Sequence, residues 1–269
     1  MSTTSYPGVG ALGLRQGGTE VRQFLRSREQ VVFTIAFPVM ILIIFGAIFK
    51  GRLTPEVTFT QYFVAGMIAS GLMASGFQAL AIQIPIERDR GVLKRFRSTP
   101  MPPSVYFFGK VGMVLTVAVI ETVALLTFAV AFYDVSLPQT AYKWWTLAWV
   151  SVLGITACTL MGIAFSSVAR TGRSAPAVVT PIALVLQFIS GVFFVYNTLP
   201  PWMQQVAALF PLKWMCQGMR SVFLPDSFAI QESAGSWELD RVALILAAWC
   251  VGGLVLCLLT FRWTTKRDG

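Results

Sequence analysis

Six long stretches of this chain carry almost no charge: Val31–Phe49, Phe59–Pro85, Val111–Phe132, Trp144–Val168, Ala175–Tyr196 and Val242–Phe261. Each meets or nearly meets the roughly 20 residues needed to cross about 30 Å of hydrocarbon at 1.5 Å per residue. Lipid offers no partner for backbone N–H and C=O groups, so each stretch must be a helix. The pattern predicts an all-α integral membrane protein with six transmembrane helices. The second stretch is rich in small residues (Ala65, Gly66, Ala69, Ser70, Gly71, Ala74, Ser75, Gly76), which let helices approach closely in lipid. The Trp144, Trp145 and Trp149 cluster in the fourth suits a membrane–water interface.

The segments between the runs divide into three kinds. Thr19–Arg28 places Val21, Phe24 and Leu25 on one helical face and Arg22, Arg26 and Arg28 around the other. This reads as a short amphipathic helix on the membrane surface, or as a flexible basic lead-in to the first span. Residues 1–18 are polar and Gly-rich and read as a flexible N-terminus, residues 19–262 as one membrane domain, and residues 263–269 as a tail. The segment Asn197–Arg241 is too apolar for a solvated loop. Within it, Pro201–Leu209 and Pro211–Phe223 read as two short re-entrant helices before the last span.

Charge sets the expected orientation. Of 21 Lys and Arg residues, fifteen fall on the loops that share a side with both termini and six on the other side. The basic side is the cytoplasmic one. The same bias accounts for the net charge of +9 without nucleic acid as a partner. With 55% hydrophobic and only 12% charged residues, a soluble fold is excluded. There is no His, which removes His-based metal sites and Ser-His-Asp chemistry, and the four cysteines show no C-x-x-C pair. The first apolar run starts too late and runs too long for a cleavable signal. No nucleotide-binding loop is expected: around Gly109-Lys110 the G-x-x-x-x-G-K-[ST] pattern fails at both ends, with Ser104 at its first position and Val111 at its last.

The loop ERDRGVLKRFRSTPMPPSVYFFGK, residues 87–110, is the most specific feature. A short helix carrying Leu93 and Phe96, bounded by Gly91 and Pro100, would present apolar knobs and charges to a cytoplasmic partner. Composition alone allows a second reading, a basic loop that only sets topology. Glu121, alone in the middle of the third run, is a functional candidate by its position. It has three readings: contact with a cationic compound, pairing with a polar neighbour to fix helix packing, or a neutral structural group. Gln78, Gln83 and Gln187 fit cavity lining and helix packing equally. Phe188, Phe193, Phe194 and Tyr196 fit an aromatic plug or interfacial anchors.

Residues Glu87 to Pro100, followed by Gly109-Lys110, resemble the signature of type 2 ATP-binding cassette (ABC) transporter permeases. The run Leu199-Pro200-Pro201-Trp202, then Pro211-Leu212, then Arg220, resembles that family's segment after the fifth span. The resemblance covers nearly the whole chain and is nearest to the daunorubicin and drug-resistance exporters. It implies a transport subunit, not an enzyme, in a bacterial inner membrane. It also implies a separate ABC ATPase subunit that carries ATP and Mg, with no cofactor on this chain. A second permease copy or a sister permease would complete the pore, within membrane lipid. Under this resemblance Glu87, Arg88, Arg90, Gly91, Leu93, Arg95 and Phe96 couple to the ATPase. The substrate path runs along the permease–permease interface at the second and fifth spans, a packing that the small residues of the second span suit, with Glu121, Gln78, Gln187, Phe188 and Phe194 on it. Trp202, Pro211 and Trp214 form an external gate. The competing expectation is a secondary transporter or channel driven by an ion gradient. That class shows several intramembrane ionisable groups and broken-helix repeats, against one such group and no visible repeat here.

Overall fold

A computed structural model describes residues 8–261 apart from 50, 100, 101 and 134. Lys50, Pro100, residues 1–7 and the tail from Arg262 onward, including Lys266 and Arg267, lie outside the described residues. The chain is helical nearly throughout. The helices are α1 (Val9–Arg26), α2 (Arg28–Ile48), α3 (Phe59–Met73), α4 (Ala79–Asp89), α5 (Val92–Arg97), α6 (Pro103–Tyr133), α7 (Ala141–Phe165), α8 (Ala175–Ile189), α9 (Pro201–Ala208), α10 (Pro211–Phe223) and α11 (Leu239–Thr260). A short antiparallel pair, β1 (Arg52–Thr54) and β2 (Val57–Thr58), joins α2 to α3.

Among the described residues five helical stretches are long and apolar enough to cross a membrane: Arg28–Ile48, Phe59–Asp89, Ser104–Tyr133, Ala141–Phe165 and Leu239–Thr260. The expected fifth span is shorter than predicted. α8 stops at Ile189 after 15 residues, because Ser190 leaves the helix and Gly191 follows with φ +77°. At 1.5 Å per residue α8 alone falls short of about 30 Å of hydrocarbon. The apolar residues that follow belong to irregular backbone anchored in the interior by Val192 and Tyr196, where such backbone is tolerated, with Phe194 exposed.

The first helix also differs from expectation. It begins at Val9, so residues 9–18 are helical and not a flexible lead. Two of its glycines, Gly13 and Gly17, form a packing face against α6. A Cβ on Gly13 would stand 2.8 Å from the Phe108 Cβ, and one on Gly17 would lie 3.5 Å from the Gly109 carbonyl oxygen.

The second span is the centre of the bundle. Thr58 and Gln61 cap it reciprocally, the Thr58 hydroxyl accepting from Gln61 N and the Gln61 side chain from Thr58 N. One π-helical turn, Ala74–Gln78, links α3 to α4. Most of the span is buried within the chain itself. This corrects the expectation that its small residues face a second permease. They serve packing inside one subunit: a Cβ on Gly162 of α7 would stand 2.7 Å from the carbonyl oxygens of Gly76 and Phe77. Those are backbone atoms that cannot swing aside. Gly162→Ala is therefore expected to destabilise the protein by about 1–3 kcal/mol. Thermal unfolding in detergent measures this, and a variant melting with the wild type would show that α7 and the π turn are not in contact.

α7 and α11 pack in parallel. Cys250 Sγ meets Leu153 O at 3.5 Å, Cys257 Sγ meets Leu160 O at 2.9 Å, and Thr260 Oγ1 donates to Ala164 O at 3.3 Å. The cysteines thus act as small adaptable packing residues. Because α7 and α11 run the same way with only the short α8 running back between them, the segment that holds α9 and α10 starts and ends on the same side. They enter from the end opposite α5 as a re-entrant cap: α10 is buried along its whole length and reaches into the bundle, where Met215 meets Cys158 of α7 at 3.7 Å and fills the notch at Gly154.

Candidate functional site

The sequence places its densest charge at the α5 end. There Lys110 of α6 is fully buried and reaches two carboxylates. Its Nζ donates to Glu20 Oε2 of α1 at 2.9 Å and pairs with Glu87 of α4. Tyr106 OH donates to the other Glu87 oxygen at 2.8 Å, and Gln83 Nε2 donates to Glu87 Oε1 at 2.9 Å. A buried ammonium is costly unless paired and hydrogen-bonded, so this cluster fastens three helices together. Gly109 makes it possible, since a Cβ there would stand 2.5 Å from the Gln16 Cγ of α1. The Gly-Lys pair has a physical meaning here: Gly109 admits α1 and Lys110 binds it. Glu20 was not anticipated from sequence. The signal was Lys110 itself, a lone Lys at the start of a span that demands a carboxylate partner.

The predicted coupling residues divide by where their side chains lie. Gly91 takes φ +71° and lets the chain turn from α4 into α5. Leu93 is wholly buried and Phe96 is half-buried with its ring edge-on to Tyr106 at 5.7 Å. The expectation that these two present apolar knobs to a partner is therefore corrected: they hold α5 onto the bundle. Glu87 is engaged in the Lys110 cluster, and Arg88 is buried with Nη2 donating to Ser166 O at 3.2 Å. Arg90, Lys94, Arg95 and Arg97 are exposed. The outer surface of α5 is thus basic. Leu93→Ala is expected to cost about 2–5 kcal/mol of stability through its cavity, read as a lower melting temperature with membrane insertion intact. An unchanged melting temperature would return Leu93 to the surface.

The predicted substrate-path residues do not form one site. Glu121 is buried against α3 of its own chain, accepting from Ser75 Oγ at 3.0 Å. Gly71 provides its space, since a Cβ there would stand 2.5 Å from Glu121 Oε1. Gln78 is half-buried at the end of the π turn, and α8, which carries half-buried Gln187 and exposed Phe188, packs on that turn and on α4. Phe188 and exposed Phe194 belong to an aromatic run. Phe188 meets Phe193 at 5.0 Å and Phe194 at 5.9 Å, Phe193 meets Phe45 at 5.7 Å, and Phe45 stacks on Phe63 at 4.7 Å. Phe45 and Phe63, on α2 and α3, escaped sequence reasoning because an apolar run hides which of its members touch.

The cap is held from inside. Arg220 of α10 is fully buried, with Nε 2.5 Å from Glu232 Oε1, Nη2 3.1 Å from Glu232 Oε2, and its guanidinium 4.9 Å from the Tyr62 ring centroid. Burial alone would lower the Arg220 pKa, but the Glu232 carboxylate overrides it and raises it. Lys213 sits 3.6 Å from the Trp214 ring centroid and donates to Gln217 Oε1. Burial pulls its ammonium down to about 8, and the Arg220 charge adds to the shift. Pro211 begins α10 at its first turn, where the missing N–H costs nothing. Trp214 Nε1 donates to Ala208 O at 2.8 Å and Trp249 Nε1 to Leu209 O at 2.9 Å, satisfying carbonyls at the end of α9. Trp202 is 61% exposed and takes no part in this interior.

Among known proteins, the family model described as ABC-2 type transporter matches residues 18–224, from within α1 to the end of α10. The chain is also similar to the inner membrane transport permease YadH of Escherichia coli strain K12. The two are 26% identical over 237 residues, 86% of this chain and 90% of that one. Proteins of the same name from Escherichia coli O157:H7 and Shigella flexneri match to the same extent.

Proposed function

The chain belongs to the ABC-2 type transporter family and is an ABC transporter membrane subunit, and from that premise we propose that it exports a hydrophobic or amphipathic compound across a bacterial inner membrane. A separate ATPase subunit binds ATP and Mg and supplies the work, and this chain hydrolyses nothing. Both termini and the α5 end face the cytoplasm, and a second copy or a sister permease completes the pore. A drug-like compound fits the resemblance to drug-resistance exporters, with a lipid or lipid-linked glycan as the rival substrate.

The observation that carries this reading is the Lys110 cluster. It ties α1 and the span α6 to α4, which turns at Gly91 into the short basic helix α5. ATP binding on the partner moves α5. Leu93 passes that motion to the bundle, and Glu87 passes it to α1 and α6 through Lys110. α4 continues through the π turn into α3, so the same displacement acts along the central span. π turns recur at functional sites in helices. An ion-gradient mechanism would lean on Glu121, and that carboxylate is engaged with Ser75 inside the chain.

Inside-out vesicles carrying the permease and its ATPase test the substrate class. Accumulation of a fluorescent anthracycline on addition of ATP and Mg, abolished by vanadate, is the expected result. Uptake driven by an imposed proton gradient without ATP would overturn the reading.

A further inference from the structure

The second loop of the α5 end, between α7 and α8, is fastened to the first. Gly172 N donates to Asp89 Oδ2 at 2.6 Å, and a Cβ on Gly172 would stand 2.6 Å from the Ile86 Cα. Ser166 O accepts from Arg88, closing the same junction from the other side. Between the loops lies a recess of about 320 Å³ lined by Ile86, Asp89, Arg90, Gly172 and Arg173. Arg90 and Arg173 are exposed at it, while its one carboxylate, Asp89, already accepts from Gly172 N. Arg170 on the same loop, with Arg95 and Arg97 on α5, extends the basic surface around it.

We propose that this recess seats a carboxylate side chain of the ATPase subunit, clamped between Arg90 and Arg173. The inference rests on the transporter reading above and adds what the partner must carry: an acidic residue at the centre of the surface that meets α5. Three features argue for it. The outward side chains of α5 are three basic ones, Lys94, Arg95 and Arg97, beside a single exposed apolar one, Val92, so contact with a partner must be largely polar. Guanidinium groups bind carboxylates in a planar two-bonded geometry that a lysine cannot reproduce. The two arginines outnumber the one carboxylate that lines the recess, so it attracts an acidic group. The Asp89–Gly172 bond makes the two loops one body, so a carboxylate held there pulls on both α4 and the α7–α8 connection.

The test uses the ATPase that co-purifies with the wild-type permease, separated and titrated back onto permease in phosphatidylcholine nanodiscs. Arg90→Gln and Arg173→Gln are each expected to weaken binding about tenfold. Arg97→Gln, exposed on α5 but not lining the recess, is expected to change it less than twofold. Wild-type affinity should fall as salt rises. Equal affinity of the wild type and both recess variants overturns the clamp while leaving the transporter reading standing. A loss seen only when phosphatidylglycerol is present assigns the recess to lipid headgroups and overturns it as well. Absence of any ATPase with the wild type overturns the transporter reading itself.

Discussion

Replacing Lys110 by Met is expected to cost about 3–5 kcal/mol of stability, the usual penalty for removing one partner of a buried ion pair. Two carboxylates, Glu20 and Glu87, would be left facing each other without a cation. Their repulsion would push α1 away from α6, since Gly109 and Gly17 offer no side chain to hold it. Trypsin should then cut at Arg22 and Arg26 faster than in the wild type, alongside a lower melting temperature. Adding Glu87→Gln to Lys110→Met is expected to restore part of the loss by removing one of the stranded charges. If the single variant melts and digests like the wild type, Lys110 is not the fastening described here.

Replacing Arg220 by Met is expected to have an effect of similar size, about 3–5 kcal/mol, because Glu232 would remain buried and unpaired. The damage should concentrate in the cap. Arg220 links α10 to the segment before α11 and lies on Tyr62 at the top of α3. Hydrogen exchange should rise across residues 226–238 and stay unchanged at the α5 end. The pair Arg220→Met with Glu232→Met should recover most of the stability, since well-packed apolar replacements of a buried ion pair are often neutral or better. A double variant as unstable as the single one would mean that the ion pair does not account for the loss.

Much of this fold was legible because proline and charge punctuate it. Pro201 and Pro211 mark the starts of α9 and α10, and the two short helices lie almost where the pattern placed them. The fifth span was misread because its apolar run continues past Ile189. Those residues stay apolar for another reason: Phe193 and Phe194 join an aromatic run fed by α2 and α3, and Gly191 ends the helix. The glycines ahead of Thr19 suggested flexibility because Gly is costly inside a helix. Here the cost is offset at Gly13 and Gly17 by the close packing they allow against α6. The small residues of the second span were read correctly as packing residues and assigned to the wrong neighbour, since composition cannot say whether a helix packs on its own chain or another.

The candidate site was legible as a segment and not as a set of roles. Glu87, Arg88 and Leu93 were singled out with Arg90 and Arg95, but the first three face inward and the last two outward. They straddle the end of α4, the turn at Gly91 and the six-residue α5, and no single periodicity runs across that break to separate the faces. Glu121 drew attention because an intramembrane carboxylate is rare. Its partner Ser75 and its notch at Gly71 sit on a different span, which no local pattern connects to it.

The central claim is that the α5 end of this permease is built to be driven by another protein. Purification from native membranes in mild detergent, with mass spectrometry of the eluate, tests it most directly. The expected result is a stoichiometric subunit bearing ATP-binding Walker motifs, whose yield falls when Arg90 and Arg173 are both replaced by Gln. Recovery of the permease alone, under conditions that keep other ABC complexes intact, would contradict the account.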